Sequence, residues 1–194
     1  LYTTSPYLRA WTDGTPRFST YDALFLEQLS QVTGDAKYAT FVQTNYWNEL
    51  NAGTYGDSEL DATELAQAVI TSLGDHFEYA PWDIGAVAIG AHVAGETAIR
   101  DAIMVKILEV LDATIAADDL DTLGLGGASW TAGTVSANLN PTTGVYASID
   151  TTAGLADKLV TYQYTDGSWG SGTTVALGAW QEAQTTAFAI MGLH

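Results

Sequence analysis

Residues 82–103 read WDIGAVAIGAHVAGETAIRDAI, and residues 21–42 read YDALFLEQLSQVTGDAKYATFV. In each stretch an aromatic residue and an aspartate open an apolar run: Tyr21-Asp22 in one, Trp82-Asp83 in the other. A glycine and an acid close it at the same spacing, Gly34-Asp35 and Gly95-Glu96. Beyond the closure the apolar positions correspond, Tyr38 and Val42 matching Ile99 and Ile103. Within the first run Tyr21, Leu24, Phe25, Leu29 and Val32 recur with helical period. Each copy therefore reads as a helix, a short turn and a second helix. A helical hairpin cannot bury both its faces alone, so repeated hairpins stack side by side. The expected fold class is all-α, an array of helical hairpins.

Working outward, Asn51 and Gly53 end the second helix, and a third fits residues 59–73 with Ala62, Leu65, Ala66, Val69 and Leu73 on one face. Pro81 suits the first turn of a fourth helix. A fifth runs from Thr97 to Ala116 on a stripe of Ile99, Ile103, Ile107, Val110, Leu111 and Ile115. Residues 118–148, rich in Gly, Thr and Asn, promise only a short helix near 129–138. Helices are expected again at 150–162 and 179–193, the last with Ala183, Ala187, Ile190 and Met191 facing inward. The stretch from Leu1 to Phe18 carries Pro6 and Pro16 without helical period and reads as an extended arm. No linker interrupts the 194 residues, so residues 1–194 are taken as one domain. The chain begins at Leu1, and a processed or truncated piece of something larger is the expectation.

Hydrophobic residues make up 47% of the chain and charged residues 15%, a folding composition. No run of about 18 consecutive apolar residues occurs, so no membrane span is expected. Six Lys and Arg against 23 Asp and Glu give a net charge of −17. That field repels polyphosphates and anionic membrane surfaces, which excludes nucleic acid as a partner and leaves neutral glycans, cations and basic proteins. The absence of cysteine excludes disulfides and thiolate metal sites. A Cys-free, Lys-poor chain rich in Thr, Gly, Ala and Asp is similar in composition to secreted or surface proteins, so an extracellular or cell-surface location is expected.

Near the C-terminus, Tyr164-Thr165-Asp166-Gly167-Ser168-Trp169-Gly170 is followed by Gln184-Thr185-Thr186-Ala187-Phe188-Ala189. This pair resembles one repeat of the prenyltransferase and squalene-cyclase type. The resemblance implies an α/α toroid, an inner ring of parallel helices inside an outer ring, with too few helices here for a full ring. The ring would be small, open, or completed by a second chain or by the arm, whose Tyr2, Tyr7, Leu8, Trp11 and Phe18 carry enough apolar surface for a lid. The family's chemistry does not carry over. Asp118-Asp119-Leu120-Asp121 has its acids in the wrong order for the cyclase proton donor, and the zinc site of protein prenyltransferases needs a cysteine. The architecture hosts unrelated activities, so function must come from the site.

If alternate helices are parallel, their N-termini gather at one mouth. Asp22, Asp83, Asp150 and Gln184 stand near helix starts, where short acceptor side chains cap free N–H groups. Tyr21, Asp22, Asp83 and His92 are the candidates for catalysis there, since a general base needs His, Tyr or a perturbed carboxylate. Tyr46, Asn45 and His76 are further groups of the kind toroid polysaccharide lyases use. Trp82 and Trp11, with Gln184 and Asp150, are the candidates for ligand binding, because aromatic faces pack on sugar rings. Asp57, Glu59, Asp61 and Glu64 cluster at a helix start without the spacing of a calcium loop, which suits a solvated first turn. No cofactor and no metal is expected. The leading expectation is a secreted or surface-exposed, non-catalytic binding or structural domain with a glycan or protein partner. A polysaccharide-active lyase or hydrolase is the alternative.

Overall fold

The computed structural model describes residues 9–10, 16–17, 20–56, 58–73, 79–116, 122–135, 152–170 and 181–194. Among these the protein is mainly helical, with a short ribbon in which β1 (Arg9–Ala10) pairs antiparallel with β2 (Pro16–Arg17), and with two isolated antiparallel bridges, Tyr55–Leu60 and Gln163–Trp169. The rest of the arm expected from Leu1 to Phe18 lies outside the described residues, as do Trp11, His76, Asp150 and the acidic run at 118–121.

The first helix, α1 (Thr20–Thr33), leads through Gly34 into α2, which continues unbroken through Lys37–Val42, a π-helical turn at Gln43–Trp47, and Asn48–Ala52. Next come α3 (Ala62–Leu73), α4 (Ala80–Ala94), α5 (Thr97–Ala116), α6 (Thr122–Val135), α7 (Thr152–Thr161) and α8 (Gln181–Leu193). The internal repeat is a structural one. Gly34 and Gly95 both take positive φ, 69° and 82°, and both turn an inner helix into its partner. Glycine adopts this left-handed conformation without the Cβ clash that other residues meet. Of the four corresponding positions Val42, Ile99 and Ile103 are buried, and Tyr38 is half-buried against the core.

The packing has two layers. In the inner row α1 packs on α4, α4 on α6, and α6 on α8. Outside it, α2 backs α1, α5 backs α4 and α7 backs α6, while α3 lies against α5. No extensive packing of described residues joins α8 back to α1, so the row is open.

Neighbours in the inner row run parallel. Between α1 and α4, Tyr21 meets Asp83 and Leu24 meets Gly90. Between α4 and α6, Trp82 meets Gly127 and Gly85 meets Thr131. At the starts of α6 and α8, the Thr122 hydroxyl donates to the Gly170 carbonyl and the Thr186 hydroxyl accepts from the Trp169 N–H. At their other ends Gly133 and Thr134 share a cavity with Gly192 and His194. All the N-termini of the inner row therefore lie at one end.

Three expectations need correction. The helix sought near 129–138 is Thr122–Val135, an inner helix buried over most of its length. Glycine lowers helix propensity, but here the small residues permit close approach, and packing outweighs propensity. A Cβ at Gly127 would stand 2.8 Å from the Trp82 N, and one at Gly126 would stand 3.0 Å from the Phe188 carbonyl oxygen. The face of α8 is also reversed. Thr185, Ala189 and Gly192 are buried, whereas Ala183, Ala187, Ile190 and Met191 are exposed. Contact with Gly126 admits only small side chains, so the large ones turn outward. The third helix starts at Ala62 rather than residue 59, because Asp61 and Glu64 form a capping box: the Glu64 N–H donates to Asp61 Oδ1 at 2.8 Å and the Asp61 N–H to Glu64 Oε2 at 2.9 Å. That also accounts for half of the acidic cluster.

The close contacts set a test. Gly127→Ala is expected to cost about 1–3 kcal/mol, since the methyl group meets backbone that cannot yield. Gly133→Ala, where a Cβ meets nothing within 4 Å, should be neutral or stabilise by up to about 1 kcal/mol. Urea denaturation of the two variants measures both. Equal effects would mean that α4 and α6 are not in backbone contact.

Candidate functional site

The N-terminal end of the inner row brings two of the four catalytic candidates together. Tyr21, in the first turn of α1, donates its hydroxyl hydrogen bond to Asp83 in the first turn of α4. Parallel helices starting at one level make this reach available. Burial raises the Tyr21 phenol well above its ordinary range, and the Asp83 charge raises it further. The Asp83 carboxyl is also raised by burial, while the hydrogen bond from Tyr21 acts in the opposite direction. Tyr21 is thus a fixed, protonated donor.

Capping is not the role of Asp83. The N-cap position of α4 is Tyr79, which makes no side-chain cap bond, and Asp83 lies inside the first turn with its carboxylate on Tyr21. Asp22, one residue along α1 and so about 100° around the helix, faces the other way. It sits close enough to Tyr46 of α2 to help raise that buried phenol, after burial itself and Tyr55. Tyr46 is sealed between Trp47 and Tyr55, with ring centroids at 4.8 and 4.9 Å. Asn45 turns back to donate to the Phe41 carbonyl.

His92 is not part of this group. It is exposed in the last turn of α4, about 13 Å along the axis from Asp83. Trp82 is 2% exposed, and its indole N–H donates to the Leu123 carbonyl at 2.7 Å, so it serves the row and not the surface. Gln184 is half-buried at the start of α8. Trp169 packs its own turn, donating to the Leu159 carbonyl, while Asp166 accepts from the Ser168 N–H and hydroxyl.

Two features were not foreseen. On α1, Tyr21 is 42% exposed and Phe25 51%, and Val32 lies on the same face two turns further on. Tyr21 and Phe25 are one turn apart, about 6 Å along the axis, and form an aromatic strip beside Asp83. Their helical period gave the pattern, but period alone does not say which face turns to solvent. The second feature is Glu27, which the apolar stripe of α1 concealed. It is buried, and its Oε1 accepts the Trp47 indole N–H at 2.8 Å. The π-helical turn carries Trp47, and such turns re-aim side chains into positions a regular helix does not offer. Burial raises the Glu27 carboxyl, the Trp47 bond opposes the rise, and Glu96 adds to it. Glu96 itself accepts from Gln43 and Asn51, both at 2.8 Å.

Among the described residues no group of three or more His, Asp and Glu side chains is arranged to hold a metal ion. No described helix is long and apolar enough to cross a membrane. No family model matches the chain, and no curated protein or solved structure matches it either.

Both carboxyls have consequences for stability. Asp83 and Glu27 are raised in the fold, so each favours folding below its unfolded-state range and loses that contribution as pH rises through the folded value. Tyr21→Phe removes the donor to Asp83, so its penalty, about 1 kcal/mol near neutrality, should shrink as acid protonates Asp83. Glu27→Gln keeps an acceptor for Trp47 and removes the buried charge, and should raise the melting temperature near neutrality and flatten the fall of stability above the carboxylate range. Melting curves across that range measure both. A Tyr21→Phe penalty independent of pH would mean that Tyr21 does not bind the Asp83 carboxylate.

Proposed function

We propose that this chain is a non-catalytic binding domain, an open segment of α/α-toroid type that takes a neutral glycan outside the cell. The observation that carries the reading is the solvent-facing strip of Tyr21 and Phe25 with the Asp83 carboxylate held beside it. Aromatic rings pack on the C–H faces of sugars, and a fixed carboxylate accepts from their hydroxyls. The net charge of −17 disfavours acidic polysaccharides, which narrows the partner to a neutral one.

The toroid reading draws on the parallel inner row with its outer partners and on the turn at Asp166–Trp169, which is fixed to Thr186 of α8. Binding is favoured over lyase or hydrolase chemistry by the state of Tyr21. A phenol raised in this way and already bonded to a carboxylate is a poor general base.

Affinity electrophoresis through gels containing neutral polysaccharides tests the reading, with sugar-product assays run alongside. At least one neutral polysaccharide should retard the protein, and Tyr21→Ala with Phe25→Ala should weaken that retardation about tenfold. No retardation by any neutral polysaccharide defeats the proposal. Release of unsaturated or reducing sugars would transfer it to the enzymatic alternative.

A further inference from the structure

The exposed strip on α1 extends beyond its two rings. Gln28 and Val32 continue it, and Val32 is 86% exposed. At about 100° per residue Tyr21, Phe25, Gln28 and Val32 fall within an arc of about 60°, and from first to last they rise about 16 Å. The opposite side of α1 carries Ala23, Leu26 and Glu27, all buried, with Glu27 bonded to Trp47 of α2. The strip therefore faces away from α2 and keeps to one side of its helix for three turns.

On a chain whose net charge is −17, every exposed residue of α1 is uncharged. The Asp83 carboxylate stands at the start of the strip, bonded to Tyr21. The Gln28 amide offers both a donor and an acceptor, and no hydrogen bond to a described residue occupies them. A sugar hydroxyl has the same two capacities. Tyr21 and Phe25, about 6 Å apart along the axis, can each take a ring of their own. Across the axis the strip is one side chain wide, so a ligand lying athwart it meets a single residue, whereas one lying along it meets all four. We infer that the strip takes an extended, unbranched neutral glycan along the α1 axis, with consecutive rings on Tyr21 and Phe25 and the Gln28 amide bonded to hydroxyls beyond them. This rests on the reading of the strip as a glycan site, and adds the direction of the chain, its minimum length and a further binding residue.

Affinity electrophoresis through hydroxyethylcellulose, arabinoxylan, glucomannan and laminarin tests it, with competing oligosaccharides of two to six rings cut from the polymer that retards the protein. Competition should strengthen about tenfold from the disaccharide to the tetrasaccharide. Gln28→Ala should weaken the tetrasaccharide about fivefold and leave the disaccharide unchanged. Val32→Trp sets a third ring in line, and should tighten the tetrasaccharide while the disaccharide again stays unchanged. Both side chains are exposed, so both variants should keep the circular dichroism of the parent. Retardation in which the disaccharide competes as well as the hexasaccharide overturns the inference and leaves the glycan reading standing. So does a tetrasaccharide affinity unchanged by Gln28→Ala or by Val32→Trp. Retardation by none of the four polymers overturns the inference and the glycan reading together.

Discussion

Backbone meets side chain and backbone almost without intervening atoms along the inner row, and the rest of the molecule is arranged around that closeness. A Cβ at Gly90 would stand 3.2 Å from the Leu24 backbone, one at Gly127 2.8 Å from that of Trp82, and one at Gly192 2.5 Å from the Gly126 carbonyl. Helices normally pack about 8–10 Å apart, set by the side chains between them, and glycines remove those side chains. The large residues then come from elsewhere. Trp47 reaches in from the outer layer to Gly90, and Trp82 spans the seam beside Gly126 and Gly127. Each indole N–H finds an acceptor, Glu27 for Trp47 and the Leu123 carbonyl for Trp82. Aromatic bulk with a satisfied polar tip is the complement of a glycine-lined seam.

Parallel packing gives the row two different ends. At the start, helix N-termini favour negative charge, and Asp22 and Asp83 both lie in first turns. Tyr21 fixes Asp83 there. At the far end the α6–α8 seam opens into a cavity of about 370 Å³ beside Trp130, whose lining among the described residues holds no Asp, Glu, Lys or Arg side chain. The same geometry thus sets a charged, aromatic surface at one end of the row apart from the α6–α8 seam at the other.

Much of the scaffold was legible in the sequence because its signals are local. Gly34 and Gly95 end helices by a conformation glycine takes readily, and the isoleucine stripe of α5 has the helical period, so those elements follow from residues near one another. The failures share one cause. The glycines of α6 look like helix breakers until Trp82 and Phe188 are seen against them, and α8 cannot be oriented without knowing that Gly126 excludes large side chains. Glu27 is similar, since a lone carboxylate on an apolar face becomes intelligible only once Trp47 is delivered by the π-helical turn. The Tyr21–Asp83 pair was half legible. The repeat placed both residues at helix starts, but spacing alone suggested two independent caps. Parallel packing at short range turned them into one donor–acceptor pair.

The row has two open ends. Among the described residues, α1 packs extensively in the row only on α4, and α8 only on α6. At α8, Ile190 and Met191 remain exposed, and Val160 of α7 is exposed in the outer layer. At α1 the exposed residues are Tyr21, Phe25 and Val32. These surfaces are not equivalent. The large exposed hydrophobic side chains of the α8 side are aliphatic. The α1 side joins aromatic rings to a carboxylate bonded to Tyr21, and aromatic residues with a polar handle work at surfaces where one part of the partner is apolar and another wet. The two ends of the row therefore differ in what they offer a neighbour: rings beside a fixed carboxylate at α1, and aliphatic side chains at α8.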